Sequence, residues 1–292
     1  MINLSDELKQ TISLYRSYTY RTRPGMRISS CEEAVQFFNQ SGFVFFWPVK
    51  GIILPSLWVA TAGDRPVPDA HDDPGQITWD WKDSLLGKKR VYYSRTLRQR
   101  NTFISLNMLP YFYALSPNFG DWEHDYLDQY YQGTMTAAAR SVYEALLREG
   151  PLNTLALRKA SNLSSSTANG LFSRALNDLM AEFKVLPVGV SDAGAWHYSH
   201  IYDITARHYS DIQEKSRNIS EDQARVILAG NYFKLVGIST QSDIQKLFGW
   251  HPEIMSRTLQ KLAEKGIILP LEDPENSNPP LWRLKDLSVP FS

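Results

Sequence analysis

In the second half of the chain, apolar positions recur at helical spacing in two stretches that can be laid over one another residue type by residue type. In the first stretch Ala139, Val142, Tyr143, Leu146 and Leu147 mark one face of a helix that Gly150 closes. Leu157 and Ala160 then face inward on a short second helix with Thr154 as its cap, and Phe172, Leu176, Leu179 and Phe183 predict a third helix from Ser164 to Glu182. In the second stretch Ala224, Ile227 and Leu228 begin a helix that ends before Gly237. Ile244, Leu247 and Phe248 lie inward on the next helix, and Met255, Leu259 and Leu262 on a third opened by His251-Pro252. Gly150 and Gly237 stand 87 positions apart, and an apolar residue follows each of them seven positions later, Leu157 and Ile244. Two strand-like runs come after each third helix. They are Lys184–Val188 with Ala195–Tyr198 around a turn at Ser191–Gly194, and Ile267–Leu269 with Leu281–Leu284. Helix, helix, helix, hairpin is the order of a winged helix. Its repetition predicts tandem winged-helix domains in a chain that is mainly α with small β-hairpins, an α+β fold.

The first half is less regular. Residues 1–40 read as two helices separated by Arg23-Pro24-Gly25. In the second of them Ser30 stands three residues before Glu33, the spacing of a capping box, and Gly42 is placed to stop it. The wholly apolar run Phe43–Trp47 predicts a short buried strand or a tight loop, and Pro55 interrupts the next apolar stretch, Ile52–Ala62. Residues 63–75 read as a surface loop, and helices are expected near Trp81–Leu86, Arg90–Arg100 and Glu123–Tyr131. These readings give an N-terminal winged-helix-like and helical domain over 1–133, a winged helix over 134–204, a joint at 205–218 and a C-terminal winged helix over 219–292.

Composition narrows the partners. With 31 basic and 31 acidic residues the chain is not held to nucleic acid by net charge, so any such binding needs a local basic face. The single cysteine, Cys31, excludes an internal disulfide and a cysteine-based metal site. No apolar run approaches the ~20 residues of a membrane span. The acid-bearing start, Met1–Gln10, has no stretch of signal-peptide character, so a cytoplasmic protein is expected. Phosphate-cradling glycine loops, nucleophile elbows and paired zinc ligands are absent, and no cofactor is expected. Asp69, His71, Asp72 and Asp73 lie close together but lack further histidine or cysteine ligands, which reads as a solvated acidic loop, with no metal.

Proteins with several winged helices in tandem usually handle duplex nucleic acid, so double-stranded DNA is the expected partner. The predicted 164–182 helix shows Ser165, Thr167, Asn169, Ser173, Arg174 and Asn177 away from its apolar side. Short polar side chains with one arginine can enter a major groove or reach phosphates. Lys88, Lys89, Arg90, Arg95, Arg98 and Arg100 are six cations with no acid among them, and on a helix Arg90, Arg95 and Arg98 would form a ridge that tracks phosphates. A solvated basic face is the alternative. His197, on the returning strand of the first hairpin, is a further DNA-contact candidate; His200, three positions on, falls on the opposite face of a strand, which argues against a shared metal.

Residues Glu221–Ile267 carry a resemblance. A helix ending at Tyr232 precedes Gly237, and Asp243-Ile244-Gln245-Lys246-Leu247-Phe248-Gly249-Trp250 leads into a helix with Leu259 and Leu262. This segment resembles the AlkZ/YcaQ family of winged-helix DNA glycosylases, which excise alkylated or crosslinked bases, and the leucine spacing of 137–183 agrees with that family's preceding unit. The resemblance implies tandem winged helices around a concave cradle for duplex DNA. It also implies a catalytic triplet of glutamine, an apolar residue, then glutamine or aspartate, soon after the first helices. Placing Gly42-Phe43-Val44 on the equivalent segment puts Phe45, Phe46 and Trp47 on the triplet. Neither Phe45 nor Trp47 can position or deprotonate a water. The resulting expectation is a protein that binds duplex or damaged DNA, using Phe45 and Trp47 to stack on distorted bases. An active glycosylase with a rearranged site, drawing on Asp80 or Asp83 (or on Gln36 or Gln40 in a shifted alignment), is the alternative, and a winged-helix transcription regulator the third reading.

Overall fold

The computed structural model describes residues 5–63, 65, 73–194, 197–271 and 281–288. The chain begins with α1 (Asp6–Thr19) and α2 (Cys31–Ser41), then β1 (Phe43–Phe45), α3 (Leu57–Ala62), α4 (Asp73–Leu85), β2 (Tyr92–Arg95) and β3 (Asn101–Ile104). Short helices α5 (Leu109–Tyr113) and α6 (Asp125–Tyr131) lead to α7 (Ala137–Glu149), β4 (Leu152–Asn153), α8 (Thr154–Ala160), α9 (Asn169–Ala181), β5 (Val185–Ser191) and β6 (Ser199–Ile204). Next come α10 (Thr205–His208), α11 (Ile212–Arg217), α12 (Glu221–Val236), β7 (Ile238–Thr240), α13 (Gln241–Phe248), α14 (Pro252–Glu264), β8 (Ile268–Leu271) and β9 (Leu281–Leu284). The order helix, strand, helix, helix, strand, strand therefore occurs three times, from α2 to β3, from α7 to β6 and from α12 to β9. The fold is mainly α with small antiparallel sheets, in tandem winged helices.

The same local devices set each copy. Ser30, Thr136 and Ser220 cap the first helices, each side-chain oxygen accepting from the backbone N–H three residues on. Gly42, Gly150 and Gly237 end those helices with φ of 79°, 82° and 75°, a conformation that costs glycine least. Ser56, Asn153 and Thr240 cap the second helices in the same way, and Thr240 with Asp243 completes a capping box. Four residues beyond each of these caps, Ala60, Leu157 and Ile244 are wholly buried. The copies differ in one respect. Asn153 and Thr240 follow their glycines directly after a short strand, whereas residues 46–55 intervene between β1 and Ser56.

By packing, the chain forms two compact units, residues 1–79 with 220–292, and residues 80–219. The boundary expected at 133 lies inside the second unit, and the first of the three copies is cut within α4. In the 80–219 unit β6 is the middle strand of the sheet β4-β6-β5, paired antiparallel from Val185 with Ile204 to Ser191 with Ser199 and irregular between Pro187 and Gly189. Val142, Leu146, Leu157, Leu179 and Val185 are all buried to 1% or less. At about 1.5–3 kcal/mol for each large apolar side chain, this contact holds the three helices to the sheet. Arg207 closes the end of α7, donating to the carbonyls of Leu146 (2.9 Å) and Leu147 (3.2 Å). In the other unit β9 is the middle strand of β7-β9-β8, and Arg16 of α1 donates to the carbonyls of Val236 and Ile238, both at 2.9 Å, at the end of α12. Cations at these carbonyl-rich helix ends also oppose the helix dipole.

Three expectations are corrected. The segment expected to be helical over Arg90–Arg100 is the hairpin β2–β3, Tyr92 paired with Ile104 and Arg95 with Asn101. Val91, Tyr92, Tyr93 and Ser94 are consecutively buried, so both faces of the strand are covered and the alternation that marks a strand with one solvated face is missing. The strand expected at 195–198 begins later, at Ser199, because the β5–β6 connection is longer than a tight turn; Ala195 and Trp196 lie outside the described residues. Ile227, expected inside, is 37% exposed on α12, where Val226 and Leu228 turn inward instead.

Candidate nucleic-acid interface

The helix expected from Ser164 begins only at Asn169, as α9, and Ser165 and Thr167 fall in the cap and short 3-10 turn before it. Phe172, Leu176, Leu179 and Phe183 are buried, which turns Ser165, Thr167, Asn169, Ser173 and Arg174 outward, all of them exposed. The turn before α9 is stiffened by Arg158, whose guanidinium donates to the carbonyls of Leu163 and Ser165, and by the Ser165–Thr167 hydroxyl pair at 3.0 Å. The β2–β3 hairpin lies against this helix. Arg95 donates from Nη1 to Oδ1 of Asn177 at 2.9 Å and from Nε to Asn101 at 3.3 Å, while Gln99 donates to Asp178 at 3.1 Å. At the tip, Arg98 and Gln99 both have positive φ, 55° and 53°. Arg95, Arg98 and Arg100 are exposed there.

Lys88, Lys89 and Arg90 are exposed as well, but at the other end of β2, so the six cations do not form one ridge. Lys89 lies near α10 and α11, close enough for its charge to lower the pKa of His208, behind the larger effect of burial, and of Asp211, whose main partner is Lys215. His197 is exposed, with φ of 50°, in the connection between β5 and β6 rather than on the returning strand. His200 lies on β6. On α14, the third helix of the last copy, Arg257 and Lys261 both pair with Asp222 of α12, at 3.5 and 2.5 Å. Their charge is already answered within the protein, whereas among the described residues no acid pairs with Arg95, Arg98 or Arg100.

Phe45 and Trp47, expected together as stacking residues, differ in their surroundings. Phe45 is wholly buried in β1, its N–H bonded to the carbonyl of Pro55 at 3.0 Å, so its ring is a core ring and cannot reach a base. Trp47 is 37% exposed and stacks on Phe46 with ring centroids 5.5 Å apart and planes 13° from parallel. Trp79 abuts both rings, at 5.9 and 6.4 Å. Gln36 and Gln40 are exposed on α2, and Gln40 accepts from Arg21.

A cluster that sequence reasoning touched at Asp83 and His200 without joining them lies in the 80–219 unit. Lys82 is 1% exposed. Its ammonium stands 2.7 Å from Oδ1 of Asp83, 2.8 Å from the hydroxyl of Tyr198 and 3.4 Å from Nε2 of His200. Tyr198 donates to the same Asp83 oxygen at 2.9 Å. Burial lowers the pKa of Lys82, with Asp83 opposing it, and burial with the Lys82 charge beside it pulls His200 down to about 4. Lys82 and Tyr198 are 116 positions apart, and no spacing rule links them. Among the described residues no group of histidine, cysteine and acidic side chains could hold a metal. Asp69, His71 and Asp72 lie outside those residues, as does the side chain of Asp73. No helix among the described residues is long and apolar enough to cross a membrane.

Three copies of one helix–strand order, with an exposed polar third helix flanked by arginines, define a tandem winged-helix protein. More particularly, the chain belongs to the AlkZ-related family, whose model matches residues 28–249. Among solved structures the Streptomyces sahachiroi DNA glycosylase AlkZ is similar, with a TM-score of 0.56 at 11% identity over 95% of this chain and 70% of that one. At that identity the likeness speaks for the fold. No curated protein matches.

Proposed function

We propose that this protein binds double-stranded DNA through the outward side of α9 and the tip of the β2–β3 hairpin, and that it favours duplexes whose bases are damaged or already partly unstacked. One observation carries the reading: the 2.9 Å bond from Arg95 to Asn177 joins a phosphate-binding cation to a polar third helix. Arg98, Arg100 and Arg174 extend the positive edge, and Ser165, Thr167 and Asn169 supply the short side chains that allow close approach to the groove. Trp47, exposed on an aromatic base of Phe46 and Trp79, is the stacking group. His197 and the 88–90 cations are secondary phosphate contacts in this reading. A soluble, cytoplasmic setting suits such a protein.

The measurement is fluorescence anisotropy with intact duplex and with duplex carrying an abasic or mismatched step. Stacking on an aromatic is worth ~1–3 kcal/mol per base, so Trp47→Ala is expected to reduce the preference for the distorted duplex by roughly five-fold or more. Equal affinity for both duplexes in the wild-type protein would favour a transcription regulator instead. Hydrolysis of a base from the sugar is a second reading, and the Asp83 cluster is the observation that favours it.

A further inference from the structure

Glycine gives up more backbone freedom on folding than any other residue, so inside a helix it calls for a local reason. Gly230 of α12 has one, because a Cβ there would crowd the Leu262 side chain at 3.3 Å. Gly170 has none within the protein. It stands exposed in the first turn of α9, outside the left-handed region, and nothing lies within 4 Å of where its Cβ would be. We infer that α9 lies in the major groove of duplex DNA with Gly170 against the edges of the bases, and that its neighbours read an A·T step, Asn169 by bonding adenine and Leu171 by touching the methyl group of thymine. The inference rests on the DNA-binding reading above and adds a sequence preference to it.

The placement of these residues carries it. A helix turns by about 100° per residue, so Ser173, Arg174 and Asn177 fall on the same side as Gly170, opposite the buried Phe172, Leu176 and Leu179. Gly170 is the low point of that outward face, with Asn169 to one side and Leu171 to the other. Asn169 is exposed, and among the described residues its side chain makes no hydrogen bond. Its amide offers an acceptor beside a donor, the pattern that matches N6 and N7 of adenine, and it gives up no protein partner on binding. Leu171 is 53% exposed. A lone exposed leucine is ordinary on any surface; this one stands beside an open glycine, and thymine is the base whose groove edge carries a methyl group.

Charge and distance fit the duplex. Arg95, Arg98, Arg100 and Arg174 are exposed and, among the described residues, pair with no acid, while the carboxylate of α9, Asp178, accepts from Gln99 at 3.1 Å. Arg95 is held by Asn177, seven residues along from Gly170, which is about 10 Å of helix. That lies within the ~12 Å width of a major groove. The arginine can therefore grip phosphates at the groove wall while the start of α9 reaches the floor. A Cβ at position 170 would hold the helix off that floor.

Kd is measured by fluorescence anisotropy at one salt concentration for three intact duplexes: alternating A·T, alternating G·C, and the A·T duplex with deoxyuridine in place of thymidine, which lacks only the methyl groups. Alternating sequences offer the same steps in every register. The wild-type protein is expected to prefer A·T over G·C by about ten-fold, the scale of one good base contact, and A·T over its uridine form by a few-fold. Asn169→Ala is expected to lose the first preference and Leu171→Ala the second. Gly170→Ala is expected to weaken binding to every duplex by at least about ten-fold while its urea-unfolding midpoint stays equal or rises, since alanine favours a helix. A merely structural glycine would not give that pair of results. Wild-type binding that is alike for all three duplexes, preferences that survive in the variants, or undiminished binding by Gly170→Ala each overturns the inference and leaves the DNA-binding reading standing. Absence of binding to any duplex by the wild-type protein overturns both.

Discussion

Arg98 and Gln99 sit at positive φ on the hairpin tip, where L side chains cost of order 1–3 kcal/mol and glycine or asparagine far less. The tip keeps a long cation at a position that glycine or asparagine would fill at less cost. Arg98→Asn is accordingly expected to raise resistance to urea by up to about 1 kcal/mol and to weaken DNA binding at the same time. A gain in stability with unchanged binding would remove Arg98 from the interface. His200 gives a second test. Its pKa in the fold is about 4 against an ordinary 6.5, so between those values the unfolded chain takes up a proton that the native protein refuses. Stability is therefore full above pH 6.5 and falls as pH drops toward 4, by up to about 3 kcal/mol from this group. Urea melts at pH 7 and pH 4.5 are expected to show a smaller acid loss in His200→Gln than in the wild-type protein.

Each copy of the winged helix is built from the same N-caps and closing glycines, so the elements are separable in the sequence even where their packing is not. The link between α4 and β2 shows how tightly one such joint is fixed. Gly87 has φ of 72°, and a Cβ there would stand 2.3 Å from the backbone carbonyl oxygen of Val188 on β5. Backbone cannot yield as a side-chain end does. Gly87→Ala is expected to destabilise the protein by about 1–3 kcal/mol, read from the midpoint of urea unfolding; an unchanged midpoint would show that β5 gives way freely. The first copy escaped a full reading because residues 46–55 separate β1 from its second helix, which breaks the spacing shared by the later two. Its hairpin escaped because Val91–Ser94 is buried on both faces and its tip, Leu97-Arg98-Gln99-Arg100, offers none of the glycine or asparagine that normally signals a turn.

For the molecule as a whole, balanced charge (31 basic, 31 acidic) leaves little long-range pull on DNA, so the proposed affinity rests on cations that, among the described residues, are not answered by nearby acids. Arg257 and Lys261 are paired with Asp222, whereas Arg95 is held by a neutral amide that leaves its charge intact. Arg95→Ala with Arg98→Ala is expected to weaken binding to every duplex alike and to flatten the slope of log Kd against log salt by up to about 2. Arg257→Ala is expected to leave the slope unchanged. The reverse pattern would move the interface from α9 to α14.

The sequence by itself determined the caps, the closing glycines and most of the buried positions of α7, α9, α13 and α14. Those are local facts, encoded by spacings of three to seven residues along one strand or helix. Only the tertiary structure decided that Phe45 is a core ring while Trp47 meets solvent, that the six cations divide between two ends of a strand, and that Lys82 meets Tyr198 and His200. Contacts between side chains more than a hundred positions apart depend on strand register and on which helix face is covered, and these are fixed by the packing of the whole unit rather than by any local pattern.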